Sequence, residues 1–541
     1  MTRRDYLILF TLALGLTSLV ALFQHAPGYM DADYYYAGGL RLVQGYGFSE
    51  VVLWNYLDNP GGLPHPSHAY WMPMASLVAA LGMFLARSTQ FWAARIGFIL
   101  IAGGIAPGTA ALAYQLTGRR EHAWLAGLLA AIPGFYLSYL ATTDTFGVLM
   151  LLGIAWFMAI GRLQRPAATH GQTRLVRSFL VLGLTTGLIH LSRADGLSWL
   201  LVGILGIAIS WRITHEEGNF QDTPSIGRNR KAGIATLVFL LGYLLVMGPW
   251  FTRNLAVFGT PLSPGGNRAL WFTDYDELFV YPPDVITLDR WLASGLDAIV
   301  QARWQAFTMN LQTALAVQGE IFLLPLIILG LWRWRKDYRV QLGMFSWVLV
   351  LGIMTVIFPY AGWRGGFFHS GAVFQPLFWA VAPAGLEVFI DWGRRVRRWN
   401  PRQASAVFRV GLLVLATMLA MLAVQRRVIG ADFRNPAWND GFNAHQRLEL
   451  ELKEAGADQA DIVMVNNAPG YFVASQRPAI SIPDGEIDTL LAVAKKYGAE
   501  YILLEQNHPQ GLGDLYDSPR EQPGLTYLFT FEGAHVFQVI R

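Results

Sequence analysis

The sequence predicts a polytopic α-helical membrane protein with about 11–13 transmembrane helices and a small C-terminal α/β domain. Three observations predict this class. The chain is 53% hydrophobic and only 14% charged, whereas soluble domains carry about 25% charged residues. Short arginine-rich clusters separate apolar stretches that are long enough to cross a bilayer. After Gln425 the composition becomes mixed and polar, which indicates a soluble region.

The first apolar span, Tyr6–Phe23, follows Arg3 and Arg4, and this positive flank predicts a cytoplasmic N-terminus. The residues before His25 lack a convincing small-x-small cleavage pattern, so we expect a retained helix rather than a signal peptide. A first outer loop, residues 25–68, then emerges on the far side of the membrane.

Basic clusters mark the cytoplasmic side of the remaining spans. They lie at Arg119–Arg120, Arg162–Arg177, Arg212–Lys231, Arg333–Arg339 and Arg394–Arg402, and spans are expected at 123–140, 145–160, 178–191, 196–211, 232–250, 311–332, 340–360, 372–390 and 406–424. Residues 69–86 and 92–116 look like two helices, although sidedness requires an odd number of crossings there. Either the first of them dips into the membrane without crossing it, or the division between them is different.

Two further regions complete the predicted organisation. A long outer loop, residues 251–310, is expected to be functional because structureless loops of that length are uncommon in compact proteins. Residues 431–541 are expected to form an α/β domain beside a transmembrane module at 1–425. Its strands are predicted at Asp461–Val465, Ala479–Ile482, Tyr501–Leu504, Thr526–Phe531 and Ala534–Ile540, with a helix at Glu486–Tyr497. Its loops show no nucleophile or phosphate motif, so we expect it to be non-catalytic and extracytoplasmic.

Composition also excludes several functions. The chain has no cysteine, which excludes disulfides, thiolate zinc sites and thiol nucleophiles. The net charge of +4 comes from the arginine clusters. Membrane topology explains them without a nucleic-acid partner.

The predicted topology places a set of carboxylates, histidines and arginines together on the outer face. An arginine can hold a phosphate there, and a carboxylate can remove a proton from an attacking hydroxyl. The candidate catalytic residues are Asp31 and Asp33, and the candidate substrate-binding residues are His65, His68, Asp144, Arg193, Asp195, Arg253, Arg364 and His369.

Structural roles are the alternative for several of these residues. Asp31 and Asp144 are placed to cap helices, Asp33 would be a solvated loop residue, and the two histidines near Pro64 and Pro66 are placed to shape a turn. Arg193 and Asp195 would form an internal ion pair, and Arg253 would extend its side chain to the membrane interface. A divalent metal held by the acids and histidines of the first outer loop is a further alternative, and the spacing alone leaves the cofactor open.

The stretches DADYYYAGGLRLVQGYGF, LPHPSHAYWMP, LSRADGL and GPWFTRNLAVFGTPLSP carry a resemblance in their order and spacing. Over residues 1–425 the chain resembles the GT-C fold membrane glycosyltransferases that use polyprenyl-phosphate sugars. That group includes protein mannosyltransferases, aminoarabinose transferases and lipopolysaccharide galacturonosyltransferases. Asp31 matches the leading acid of the family's acidic pair, whereas Ala32 stands at the adjacent position and the second acid falls at Asp33.

The resemblance implies an inverting transfer of a hexosyl or pentosyl group from a polyprenyl-phosphate carrier to an acceptor at the outer face. Asp31 would be the base or would position the acceptor, and some relatives use a divalent metal. The implied partners are the lipid-linked donor, an acceptor that the sequence does not name, and the bilayer. The implied location is the plasma membrane of the cell envelope.

Two other classes compete with this interpretation. One is a transporter or flippase of a lipid-linked or polar solute, and the other is a non-catalytic envelope assembly protein. A transporter is expected to place ionisable groups near the bilayer midplane. Here the strongest polar groups fall in predicted outer loops, which favours the enzyme.

Overall fold

The computed structural model describes residues 1–163, 172–216 and 225–540. The helices are α1 (Arg3–Ala21), α2 (Met30–Val43), α3 (Met74–Ala86), α4 (Phe91–Ala94), α5 (Ile96–Thr117), α6 (Arg120–Ala131), α7 (Phe146–Leu163), α8 (Gln172–Ser192), α9 (Ser198–Glu216), α10 (Ser225–Phe258), α11 (Pro264–Arg268), α12 (Leu288–Ala293), α13 (Leu296–Thr313), α14 (Leu324–Arg333), α15 (Tyr338–Gly352), α16 (Pro359–Ala361), α17 (Phe367–Gly371), α18 (Gln375–Arg397), α19 (Pro401–Val424), α20 (Asp440–Glu454), α21 (Ala468–Ser475), α22 (Ile487–Tyr497) and α23 (Gly513–Asp517). The strands are β1 (Ser49–Glu50), β2 (Val52–Leu53), β3 (His65–Pro66), β4 (Ile462–Val465), β5 (Ala479–Ile480), β6 (Ala499–Leu504), β7 (Leu525–Phe531) and β8 (Ala534–Val539).

Within these described ranges, seven helical segments are long and apolar enough to cross a membrane, which confirms the predicted class of helical membrane protein. They are Arg3–Ala21, Phe91–Thr117, Phe146–Leu163, Gly233–Phe258, Tyr338–Ile357, Pro359–Arg397 and Pro401–Ile429. Shorter apolar helices lie at Met74–Ala86, Val176–Ser192, Ala194–Ile209 and Leu324–Arg333. The total of 11–13 spans stays a prediction. The basic clusters at 162–177 and 212–231, on which it depends, lie partly outside the described residues.

The ambiguous region near residue 90 consists of one short and one long apolar helix. Helix α3 has 13 residues, which is shorter than the roughly 17–25 residues of a membrane-crossing helix. The segment Phe91–Thr117 has 27 residues and reaches that length. These lengths agree with the alternative in which only the second helix crosses.

Three predicted boundaries differ from the structure. The expected span 311–332 is interrupted, because α13 continues as a π-helical turn only to Gln318 and α14 begins at Leu324. Between them Glu320 and Ile321 adopt left-handed backbone angles, which L-residues with a side chain rarely populate. The segment Trp363–Ser370, between the predicted spans 340–360 and 372–390, is a series of helical turns that leads into α18, and α10 continues to Phe258 into the predicted 251–310 loop.

The described residues form two compact units. The first contains Met1–Leu22, Phe98–Pro261 and Trp304–Arg427, and the second contains Phe23–Gly97, Leu262–Arg303 and Val428–Arg541. Segments of the predicted outer loops 25–68 and 251–310 therefore belong to the same unit as the C-terminal region. The functional division into a module at 1–425 and a domain at 431–541 stays a prediction.

Small residues allow the helices of the first unit to pack closely. A Cβ atom at Gly385 would lie 1.9 Å from the carbonyl oxygen of Leu326, and one at Gly330 would lie 2.2 Å from that of Val381. Helices α14 and α18 are therefore in backbone contact, as is common for helix pairs in membranes. Gly183 gives α8 the same access to α10, since its Cβ would lie 2.0 Å from the Phe239 oxygen.

The second unit is built on a six-stranded sheet with the order β2-β5-β4-β6-β8-β7. Strands β2, β5, β4 and β6 are mutually parallel, and β8 and β7 extend the sheet in antiparallel pairing. The five predicted C-terminal strands and the predicted helix are confirmed with small shifts at their ends. The parallel pairing of the Ile462–Val465 and Tyr501–Leu504 runs follows from their continuous apolar sequence.

The sheet has an apolar layer on each face. Helix α22 covers one face with Leu490, Val493 and Ala494, in a core that also takes in Leu53 and Tyr56 from the first loop. Helices α20 and α21 cover the other face, which buries residues such as Leu448, Leu452 and Tyr471. The edge strand β2 is supplied by the N-terminal part of the chain, because Val52 and Leu53 pair with Ala479 and Ile480.

Candidate functional site

Asp31 and Asp33 occupy the first turn of α2 in the second unit. Carboxylates are favourable there because the helix N-terminus carries partial positive charge. Asp31 is half-buried, whereas Asp33 is only 6% exposed. The two acids of the motif therefore differ in access, and Asp31 is the one that a substrate can reach directly.

The Asp33 carboxylate is held by groups from two distant parts of the chain. The Asn467 side-chain amide donates to it at 3.2 Å, and the Gly28 backbone N–H also donates. Burial raises the pKa of Asp33 to about 7 even though the hydrogen bond from Asn467 and the charge of His445 oppose the rise. A Cβ atom at Gly470 would lie 2.9 Å from Oδ2 of Asp33, so only glycine allows α21 to approach this closely.

His65 is enclosed by two carboxylates. Its Nε2 lies 2.8 Å from Oδ2 of Asp58 and its Nδ1 lies 3.4 Å from Oε1 of Glu50. Burial lowers the pKa of His65, but hydrogen bonds to Asp58 and Glu50 outweigh burial and raise it to about 9. The imidazolium thus crosslinks β3 to Glu50 of strand β1 and to the turn at Asp58, which favours the structural alternative for this residue.

His68 makes its hydrogen-bond contacts with residues of its own unit. It is fully buried, and its ring nitrogens contact the hydroxyls of Ser67 at 2.8 Å and Ser76 at 3.1 Å. Its backbone N–H donates to the Tyr34 hydroxyl at 2.7 Å. His68 therefore locks the first loop onto α2 and α3, and a substrate-binding role for it stays a prediction.

Asp144 and His369 form a polar pair within the first unit. Asp144 precedes α7 and is 2% exposed, and its Oδ2 lies 3.1 Å from Nε2 of His369 in α17. The other His369 nitrogen, Nδ1, lies 2.9 Å from the Gly365 carbonyl oxygen, and the ring stacks on Phe146 at 4.2 Å. Both ring nitrogens face oxygen acceptors, so the contacts require an imidazolium, a protonated Asp144 or a bridging cation.

Arg193 links the segment after α8 to the same short helix. Its Nε donates to Oδ1 of Asp195 at 2.9 Å and to Oγ of Ser370 at 3.2 Å. The ion pair proposed as the structural alternative is therefore present. Because Ser370 is adjacent to His369, the pair also brings the Arg193 guanidinium to the helix that carries this histidine. Ser370 was not singled out from the sequence.

The other two predicted arginines lie against aromatic rings. The Arg253 guanidinium lies 4.9 Å from the centroid of Trp250 and 4.8 Å from that of Phe258, and it donates to Asn254. Arg364 is exposed and lies 4.9 Å from the Trp363 ring. Gly365, with a φ of 122°, follows Arg364 and permits the wide helical turn that presents it.

Sequence reasoning missed the residues that reach Asp33 from the C-terminal region. Asn467 follows β4, and His445 lies on α20. The asparagine-rich composition of the 466–470 loop was the only available signal, because neither residue belongs to a local motif with the first loop.

Comparison with solved structures shows which fold this is. The chain is similar to ArnT from Cupriavidus metallidurans bound to undecaprenyl phosphate, with a TM-score of 0.56, 12% identity and coverage of 99% of this chain and 98% of that chain. It is also similar to the Archaeoglobus fulgidus oligosaccharyltransferase in its apo form, with a TM-score of 0.54, 12% identity and coverage of 93% and 70%. The complex of that enzyme with Zn and sulfate gives a TM-score of 0.55 at 12% identity, with coverage of 92% and 67%. No protein-family model and no curated protein sequence matches the chain.

These similarities show that the chain shares the fold of these solved structures, as its resemblance to the GT-C fold predicted. The expected fold class is confirmed, including the small C-terminal sheet region. At 11–12% identity the similarity concerns the fold, and the activity of this chain has to be argued from its own residues.

Proposed function

We propose that this chain is a membrane glycosyltransferase that transfers a sugar from a polyprenyl-phosphate-linked donor to an acceptor hydroxyl at the outer membrane face. The observation that carries the proposal is the polar group formed by the buried Asp144 and the half-buried His369 and Arg193 within a helical unit of GT-C fold. Ionisable side chains inside membrane proteins are costly to retain and mark functional sites.

In the proposed reaction Asp31 removes the proton from the acceptor hydroxyl. The hydroxyl oxygen forms a bond to the anomeric carbon of the sugar, and the bond between that carbon and the phosphate oxygen breaks. Attack from the side opposite the phosphate inverts the configuration. The electron pair leaves with the polyprenyl phosphate, whose added charge is stabilised by arginine. Asp31 suits this role better than Asp33, because Asp31 is half-exposed at the start of α2 and Asp33 is buried.

The arginines would hold the phosphate. Arg364 is exposed beside two glycines, and its planar fork matches phosphate oxygens. Arg193 is fixed by Asp195 and Ser370 next to His369. Arg253 is proposed as a further phosphate-binding residue only because the predicted topology places it on the same face of the membrane as the other two arginines.

Asp144 and His369 would hold a divalent cation if one takes part. Their facing atoms, a carboxylate oxygen and an imidazole nitrogen 3.1 Å apart, suit ions such as Zn²⁺ or Mn²⁺. A bound cation would neutralise charge on the donor phosphate.

The decisive experiment incubates the purified full-length protein with a panel of polyprenyl-phosphate sugars and an extract of envelope lipids, glycans and proteins. Mass spectrometry then measures release of polyprenyl phosphate and appearance of a glycosylated product. Release coupled to product formation with one donor is expected. Transport of the intact donor across proteoliposomes without cleavage would instead establish the carrier alternative.

A further inference from the structure

In the parallel part of the sheet, the direction in which the chain adds successive strands reverses between β4 and β6. From β4 the chain passes through α21 to β5 on one side, and then through α22 to β6 on the other side of β4. At such a reversal the segments that follow the two strands lead to opposite faces of the sheet. Ligands of open α/β sheets bind at this point, outside the carboxyl ends of the strands.

Polar residues follow both strands at this reversal. Asn466 comes directly after β4, and its side-chain amide donates to the Asn507 backbone oxygen at 3.0 Å and to the Asn507 side-chain oxygen at 2.6 Å. Glu505 comes directly after β6. We call the group Asn466, Asn467, Glu505, Asn507 and His445 the switch-point edge.

At His445 the switch-point edge has a hydrogen-bonding atom that no described residue of the protein pairs with. It is 6% exposed, and its Nε2 lies 3.5 Å from Oε1 of Glu505. Its Nδ1 is buried and has no hydrogen-bond partner among the residues that the structure describes. A buried polar atom without a partner is costly and rare in folded proteins. His445 is also near enough to Asp33 for their charges to interact.

The chemistry of the edge selects the class of ligand. Its side chains are amides, a carboxylate and an imidazole, and the neighbouring Asp33 adds a second carboxyl. Carboxylates oppose a phosphate anion, whereas each sugar hydroxyl can both donate to a carboxylate and accept from an amide.

We infer that the switch-point edge is a carbohydrate subsite that binds the neutral, hydroxyl-rich part of a saccharide. The inference rests on the proposed function where it assigns this saccharide to the acceptor. Asn467 joins the edge to α2, because its amide donates to Asp33. A saccharide bound at the edge is therefore next to the helix turn that carries the proposed base.

The test uses saturation-transfer NMR on the full-length protein in detergent, with methyl α-D-glucopyranoside and methyl α-D-mannopyranoside as probes. Glu505→Gln and Asn466→Ala are each expected to weaken binding about 10-fold, the effect of one lost hydrogen bond in a partly buried site. Glu454→Gln, an exposed position at the end of α20, is the matched control and is expected to bind as the wild type does. Asp144→Asn distinguishes this subsite from the proposed donor site and should leave probe binding intact.

Three outcomes would overturn the inference. The first is the absence of any saturation-transfer signal from either probe. The second is complete loss of that NMR signal in Asp144→Asn with no loss in Glu505→Gln. The third is displacement of the probe by ethanolammonium or inorganic phosphate at a lower concentration than by sugar. Binding that maps to Glu505 in a protein without transferase activity would uphold the subsite while rejecting the proposed function.

Discussion

His369 Nε2 lies 3.1 Å from Oδ2 of Asp144, although the two residues are 225 positions apart. The contact connects the turn before α7 to the short helix α17. His369 is fixed in orientation because its other nitrogen contacts the Gly365 oxygen and its ring stacks on Phe146. We therefore expect Asp144→Asn and His369→Gln to lower transfer strongly, by about 100-fold or more, and thermal melts separate this effect from the destabilisation that loss of a buried partner causes.

The same pair allows a direct test for a cation. Mn²⁺ binding, followed by electron paramagnetic resonance on purified protein, should weaken in both variants. Thr143→Ser, next to Asp144, is the control. If both variants bind Mn²⁺ as the wild type does, the pair does not hold a metal.

Asp31→Asn should abolish transfer while leaving the protein folded. The amide is nearly isosteric but cannot accept the proton, and loss of a general base costs about 100- to 10,000-fold in rate. The assay is release of polyprenyl phosphate, with size-exclusion chromatography as the check on folding. Turnover at the wild-type rate would rule out Asp31 as the base.

Arg364→Lys should raise the donor KM and reduce transfer, because a point charge does not reproduce the two parallel hydrogen bonds of a guanidinium to phosphate. A matched control is Arg335→Lys. Arg335 is likewise exposed and lies 4.8 Å from the Trp332 ring, on a segment that the topology predicts to be cytoplasmic. Equal effects of the two substitutions would contradict the role of Arg364.

The buried Asp33 should make stability depend on pH. Burial raises its pKa from 3.8 to about 7. The folded state therefore holds the proton more tightly than the unfolded state does. Its contribution is fully present below pH 3.8 and is lost as pH rises through about 7, amounting to at most about 4 kcal/mol. Thermal unfolding between pH 4 and 8 should show this decline in the wild type and a smaller decline in Asp33→Asn. Parallel curves for the two proteins would contradict it.

His65→Gln should destabilise the second unit, because it leaves Glu50 and Asp58 buried beside an uncharged group. Removing one partner of a buried ion pair costs about 3–5 kcal/mol. The pKa of His65 is raised from 6.5 to about 9, so its contribution is fully present below pH 6.5 and disappears as pH rises through 9. Thermal melts should show a lower melting temperature for His65→Gln than for the wild type, and this difference should disappear at high pH. His25→Gln, at an exposed position, serves as the control.

The sequence predicted the fold where the apolar pattern was long and regular. The C-terminal strands and helix α22 were found because continuous apolar runs alternate with a helical pattern. The interruption at 319–323 was missed because the sequence IFLLPLIILG keeps the apolar composition of a span through the break. Strand β2 has two residues, which is too short for any periodicity.

The candidate site was predicted only in part, because some of its residues lie far apart in the sequence. Local motifs marked Asp31, Asp33 and the LSRADGL arginine, and the structure adds the partners that these motifs contact. Asn467 and His445 come from elements that share no local pattern with α2, so only the folded chain brings them to Asp33.

The pairing of β2 with β5 also constrains how the protein is made. Val52 and Leu53 leave the ribosome long before their partners Ala479 and Ile480 do. The Tyr56 hydroxyl likewise donates a hydrogen bond to the Ser481 backbone oxygen, which is synthesised 425 positions later. The β2 edge therefore stays unpaired until β5 has been translated, and such edges invite aggregation. A C-terminal truncation would consequently expose this edge permanently, so its loss of activity would report failed assembly of the N-terminal loop as well as loss of the domain.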